Sequence, residues 1–225
     1  MSRSEPGPSP AGTRYDAVVL AGGAARRLGG ADKPGALVGG RSLIARVAAA
    51  AAAAERLIIV GPARPELPHA LVVREDPPGA GPVPALRAGM AAVRAPWTAL
   101  LAADLPFLRP ADLTGLFEAA RGHAGAVLTD TGGHRQWLAG VWRSDVLSTA
   151  LRDYEGGSLR GLLGPLEPAL VAPVPGESTG ESTEEPVGEP PAWFDCDTPA
   201  DLDLAGRLGA PGRTTGGPGT GRGVR

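Results

Sequence analysis

Lysine is almost absent from this chain: of 22 basic residues, Lys33 is the single lysine and the other 21 are arginine. Cysteine is equally sparse, with Cys196 alone, which excludes an internal disulfide and suits a reducing cytoplasm. Aromatic residues make up 4% of the chain, too few for a surface on which successive bases could stack. A formal net charge of −2 excludes the broad basic field that drives non-specific nucleic-acid binding. The first residues, MSRSEPGPSPAGTR, carry no apolar core of the secretory type. The longest run of membrane-like character, Val47–Ala54, is mostly alanine and far too short to span a bilayer. These absences point to a cytoplasmic protein with no membrane or nucleic-acid partner.

With 225 residues and 43% hydrophobic content, the chain can bury one sizeable core. Residues 1–14 and 209–225 are rich in Gly, Pro, Ser, Thr and Arg and read as disordered tails around one domain over 15–208. Within that domain, residues 176–191 hold a tandem GEST, five glutamates, three prolines and no basic residue. That composition predicts a solvated acidic insertion.

Strand-like and helix-like segments alternate between the tails. Strands are expected at Asp16–Leu20, Arg56–Val60, Ala70–Val73, Thr98–Ala102, Gly125–Thr129, Trp137–Trp142 and Trp193–Asp197. Helices are expected from Ser42 to about Ala54, over Val83–Val93 and Ala111–Arg121, and onward from Ser144. Gly156–Arg160 should turn into a short helix. This β–α alternation, with short and uniformly apolar strands, predicts an α/β fold whose mostly parallel central sheet is covered on both faces. Ligands of such sheets bind beyond the carboxyl ends of the strands.

The lone lysine lies where that rule directs attention. The first strand runs into LAGGAARRLGGADK (Leu20–Lys33), in which adjacent glycines and Arg26, Arg27 and Lys33 can converge on phosphate. A lysine kept in an arginine-rich chain marks a position that needs a compact ammonium on a flexible stem. A P-loop is ruled out because Pro34 follows Lys33, and a dinucleotide fingerprint because Gly22 and Gly23 are adjacent. Other strands end in acids: Glu75 and Asp76 before PPGAGP, Asp104 within AADLP, and Asp197 before Thr198-Pro199. Asp76, Asp104 and Asp197 can thus meet near Lys33 through a phosphate and a divalent metal, although aspartates also cap helices and turns. The histidines, His69, His123 and His134, lack metal-ligand spacing, and Cys196 between two acids reads as a packed thiol.

Taken in order, LAGGAARRLGGADK, Asp76 with Gly81-Pro82, AADLPFL and DCDTPADL resemble the MobA-like nucleotidyltransferase family. The resemblance implies a three-layer Rossmann-like nucleotidyltransferase fold over residues 15–208. By resemblance, Leu20, Ala21, Gly22 and Gly23 hold the nucleotide through backbone groups, and Lys33, Asp76 and Asp104 complete its pocket. It implies Lys33, Arg27 and Asp104 as catalytic residues, and Asp104 with Asp197 as ligands of Mg2+. The implied reaction is transfer of GMP from GTP to molybdopterin with release of pyrophosphate, in contact with molybdoenzyme maturation proteins. Cytidylyl transfer, a different small phosphate acceptor or a non-catalytic nucleotide-binding role are the alternatives. The chain departs from the family pattern at Gly61, where asparagine is common, and at Val83–Ala85, where LAG is usual.

Overall fold

The computed structural model describes residues 12–22, 32–172, 191–196 and 198–208. Arg26 and Arg27, Gly23, Asp197, the acidic stretch as far as residue 190 and most of both tails lie outside the described residues.

The core element is β1 (Tyr15–Leu20), buried along its whole length. It lies between β4 (Leu57–Val60) and β6 (Trp97–Ala102), parallel to both. Burial on two faces explains why YDAVVL shows no polar alternation. Its one charged residue, Asp16, is fully buried and accepts hydrogen bonds from the backbone N–H groups of Arg94 (2.6 Å) and Ala95 (3.0 Å). The carboxylate thereby fixes the turn that leads into β6.

The sheet is completed by β5 (Leu71–Val73), β7 (Gly125–Thr129), β8 (Arg135–Arg143) and β9 (Ala169–Val171), in the order β5-β4-β1-β6-β8-β7-β9. Only β8 runs against its neighbours, so the sheet is mostly parallel, as expected. A separate two-strand hairpin, β2 (Leu37–Val38) and β3 (Arg41–Ser42), turns through Gly39 and Gly40, both at positive φ (58° and 77°). Two positive φ angles are what a tight hairpin turn demands, and glycine supplies them without strain.

Helices cover both faces. On one side α1 (Leu43–Ala50) and α3 (Pro110–Ala119) place Ile44, Val47, Leu113, Leu116 and Phe117 against Tyr15, Val19 and Leu101. On the other, α2 (Pro82–Met90), α4 (Ser144–Asp153) and α5 (Leu159–Leu163) pack Leu86, Leu147 and Leu163 on Val18, Leu100 and Trp142. Each fully buried leucine or isoleucine in these layers contributes about 1.5–3 kcal/mol. The last helix, α6 (Pro199–Leu208), joins a small third cluster of Val38, Leu43, Cys196 and Ala205, with Phe107 and Phe194 edge-to-face at 5.7 Å.

Two expectations need correction. The first helix begins as read, with the Ser42 hydroxyl accepting from the Ala45 N–H, but it ends at Ala50. Alanine propensity favours continuing; instead the Ala52 and Ala54 N–H groups bond three residues back, and Glu55 N–H reaches the Tyr15 carbonyl to start β4. Pairing with the central strand outweighs the helix propensity of the alanine run. Trp193–Cys196 is not a strand: it is a turn and coil, with Phe194 N–H on the Pro191 carbonyl and Cys196 N–H on the Asp104 carbonyl at 3.3 Å. One hydrogen bond to a loop does not make a ladder. No described helix is long and apolar enough to cross a membrane.

Candidate nucleotide site

The strand order reverses direction between β1 and β6: from β1 the chain adds β4 and β5 on one side, then returns to add β6 on the other. The crevice at such a reversal is where open α/β sheets hold ligands. Here it is bounded by Leu20, Ala21 and Gly22 after β1 and by Ala103 and Asp104 after β6. The two ends are tied together, since Ala103 N–H bonds the Leu20 carbonyl at 3.2 Å and Ala21 N–H bonds the Val60 carbonyl at 2.9 Å.

Lys33 reaches into this crevice and forms an ion pair with Asp104 Oδ2. Each side chain is about four-fifths buried, at 19% exposure, so the pair is shielded yet reachable. Two charges brought together from 71 positions apart in sequence are what the motif reading anticipated. The neighbouring residue, Asp32, is held by Arg64, whose guanidinium forks onto both carboxylate oxygens, Nη2 to Oδ1 at 2.7 Å. Arg64 is 8% exposed and comes from the loop after β4. Its guanidinium holds the Asp32 carboxyl below the usual carboxylate range, chiefly through that hydrogen bond. Gly35 makes room for this clamp, because a Cβ there would overlap the Asp32 carboxylate. The Arg64–Asp32 fork thus anchors the turn that carries Lys33.

Gly61 serves the same crevice from beneath. Its φ is +148°, and a Cβ would lie 2.9–3.1 Å from the Ala21 carbonyl group and the Gly22 nitrogen. The absence of a side chain lets β4 run directly under the first loop. Of the acids after β5, Asp76 is exposed and Glu75 is turned inward at 7% exposure. Sequence reasoning singled out Asp76 and passed over both Glu75 and Arg64. Neither has a motif around it: Arg64 sits in an ordinary loop, and its role depends on a partner 32 residues away.

Cys196 is fully buried beside this pair, and burial with nearby Asp104, Asp201 and Asp195 pushes its thiol up to about 12. It is a packed residue, as expected. Its backbone N–H on the Asp104 carbonyl joins the coil that ends at Cys196 to the loop after β6. Among the described residues no group of three or more His, Cys, Asp or Glu side chains could hold a metal by itself. One carboxylate in a crevice suits a hard divalent cation completed by substrate phosphates and water, the manner in which Mg2+ is usually held. The donor set therefore fits such an ion.

The other strand ends on this edge belong to β7 and β9. The loop after β7 is folded around Asp130, which accepts from the N–H groups of Gly132 (2.9 Å) and His134 (2.8 Å). Arg135 lies over the Trp137 ring at 5.6 Å. His69, His123 and His134 are all exposed. A cavity of about 370 Å³ between Ala54–Leu57 and Glu66–Leu71 lies at the opposite edge, where β4 and β5 begin. None of the residues that form the crevice lines it.

The sequence pattern of the MobA-like NTP transferase domain matches residues 17–170. The chain belongs to that family. It is 37% identical over 142 residues to a molybdenum cofactor guanylyltransferase of Bradyrhizobium, covering 58% of this chain and 66% of that protein. It is 33% identical over 119 residues to a probable molybdenum cofactor guanylyltransferase of Natronomonas pharaonis, covering 49% of this chain and 59% of that one. The chain thus spans less than two thirds of these curated relatives. Among solved structures, the molybdopterin-guanine dinucleotide biosynthesis protein A of Archaeoglobus fulgidus superposes with a TM-score of 0.60 at 19% identity, covering 86% of this chain and 97% of that one. At that identity the likeness is one of fold.

Proposed function

We propose that this protein is a magnesium-dependent nucleotidyltransferase that transfers GMP from GTP to molybdopterin and releases pyrophosphate. The observation that carries the reading is the Lys33–Asp104 pair at the reversal of the sheet, beside Ala21 and Gly22 at the end of β1. Family membership and the names of the curated relatives support the same reaction class and the same substrates.

The attacking group in this reading is a terminal phosphate of the acceptor, already ionised at neutral pH, so no histidine or serine base is required. A new P–O bond forms at the α-phosphorus while the bond to the bridging oxygen of the leaving pyrophosphate breaks. The protein's task is alignment and charge neutralisation. A bound Mg2+ supplies positive charge to the phosphate oxygens. Lys33 exchanges its Asp104 partner for the phosphates, which frees the Asp104 carboxylate for the cation. Ala21 and Gly22 offer backbone to the nucleotide, Arg27 and Asp197 join from outside the described residues, and Asp76 lines the open side. A cytoplasmic location accompanies this reading, since both substrates are small and ionic.

The test is magnesium-dependent pyrophosphate release from GTP, with CTP in parallel, with and without molybdate-loaded molybdopterin. Release that requires GTP and that acceptor supports the assignment. Release with CTP alone moves it to cytidylyl transfer, and GTP binding without release points to another acceptor or to a binding role.

A further inference from the structure

Glu75 is a second buried acid at the same edge of the sheet, and the phosphate chemistry above does not use it. It follows β5, is 7% exposed, and turns its carboxylate inward, away from neighbouring Asp76. Oε1 accepts the Gly79 N–H at 2.9 Å, whereas Oε2 is buried with no hydrogen-bond partner. An unused oxygen on a buried carboxylate is costly and calls for a donor from elsewhere. The carboxylate faces the first loop: a Cβ on Gly22 would lie 3.6 Å from Oε1 and 3.9 Å from Oε2. The Val60 carbonyl is on the same side, 3.7 Å from that point. Gly22 thus leaves room for about one methyl group beside the carboxylate, and the Val60 carbonyl is already taken by the Ala21 N–H.

We propose that Glu75 reads the base of the bound nucleotide and selects guanine, accepting hydrogen bonds from N1–H and the N2 amino group. The inference rests on the nucleotidyl-transfer reading. It follows from position and from chemistry. Asp104 follows β6 and Glu75 follows β5, so the two acids approach Gly22 from opposite sides. Phosphates held at Lys33 on the β6 side leave the base to extend toward β5, and an anionic phosphate has no place against a carboxylate. An ionised carboxylate only accepts hydrogen bonds. Guanine is the base whose pairing edge offers two adjacent donors. Cytosine and adenine each set one amino group beside a ring nitrogen that is itself an acceptor, and that lone pair would oppose Oε2.

The experiment is equilibrium binding of GTP, ITP, XTP, CTP and dGTP to the full-length protein and to Glu75→Gln, each in Mg2+ buffer. The expected result for the unsubstituted protein is GTP tightest, ITP weaker by roughly tenfold for the lost N2 donor, and XTP and CTP weaker by about a hundredfold or more. Glu75→Gln, with one donor and one acceptor at its tip, should lose GTP and gain XTP, inverting their order. Equal binding of GTP, ITP and XTP by the unsubstituted protein overturns the proposal, and this arm needs no variant to fold. So does unaltered guanine preference in Glu75→Gln, or a uniform loss for every nucleotide, which marks a structural role. A dGTP penalty as large as the ITP penalty, with no order inversion, moves Glu75 to the ribose and also overturns it. Guanine selectivity through Glu75 without pyrophosphate release would leave this inference standing while the transfer reading fails, and the reverse pattern would do the opposite.

Discussion

The two halves of the sheet are built differently. In β5-β4-β1-β6 every strand runs the same way, and each is followed at that edge by a residue of the proposed site: Glu75, Gly61, Gly22 and Asp104. In β8-β7-β9 the middle of the sheet changes direction, and the β7–β8 register shifts between Val127 and Leu128. The first half repeats one device, a buried strand followed by a functional turn, and so spells its site along the chain. The second half depends on pairing. The shift leaves Trp137–Ala139 without partners on β7, and no local run of residues announces such an irregularity. Linear motifs therefore describe the parallel half of this sheet better than the mixed half.

The largest expected effect attacks the centre of the parallel half. Lys33→Ala should keep the fold and lose about 3–4 kcal/mol of transition-state stabilisation, a hundredfold to a thousandfold in pyrophosphate release. Lys33→Arg should lose most of that activity as well, because a planar guanidinium does not replace the ammonium beside Asp104. Full turnover by the arginine variant would refute the geometric argument about the lone lysine.

Gly61→Val comes next. Its Cβ would press on the Ala21 backbone at 2.9 Å from a φ of +148°, so a loss of about 1–3 kcal/mol in stability is expected, with weaker GTP binding. Urea unfolding and nucleotide titration measure the two separately. A variant as stable as the parent would mean that the first loop has room to move away from β4.

Arg64→Ala should cost less, about 1–2 kcal/mol, since Asp32 keeps more than half its side-chain surface in water. Its pH dependence gives the sharper readout. The Asp32 carboxyl is depressed in the folded protein, so the stability it adds is present above the ordinary carboxylate range and is lost as pH falls through the folded value. The gap in unfolding free energy between the parent and Arg64→Ala should therefore be full at neutral pH and close in acid. A gap that persists at low pH would assign the effect to lost packing.

The smallest effect is expected in the mixed half. Arg135→Ala removes the contact with Trp137 and should leave GTP affinity within about twofold, as surface substitutions away from a site usually do. A large loss of GTP affinity would break the division between the halves.

How much of this was legible beforehand varies with sequence separation. Strands β1, β4, β6 and β7, the Ser42 cap and the start of α4 follow from local composition, and the structure places them within a residue or so. The Lys33–Asp104 meeting was readable because each member follows a strand of the same parallel set. Trp193–Cys196 misled because a short aromatic run suits either a strand or a packed turn, and the choice lay with the Asp104 carbonyl and the Phe107 ring. Arg64 and Glu75 were missed for a related reason: an arginine in a loop and a glutamate beside an aspartate carry no signal of burial.

By itself, then, the order of residues determined the class of fold, the glycine loop, the lone lysine and the acids that follow the strands. Those features rest on short-range chemistry: backbone freedom at glycine, side-chain branching and charge. Only the tertiary structure decided that Glu75 turns inward while Asp76 faces solvent, that Arg64 clamps Asp32, and that β8 runs backwards with a bulge. Each of those outcomes is set by which surfaces are left to bury once the layers close, a property of the packed whole that no single segment contains.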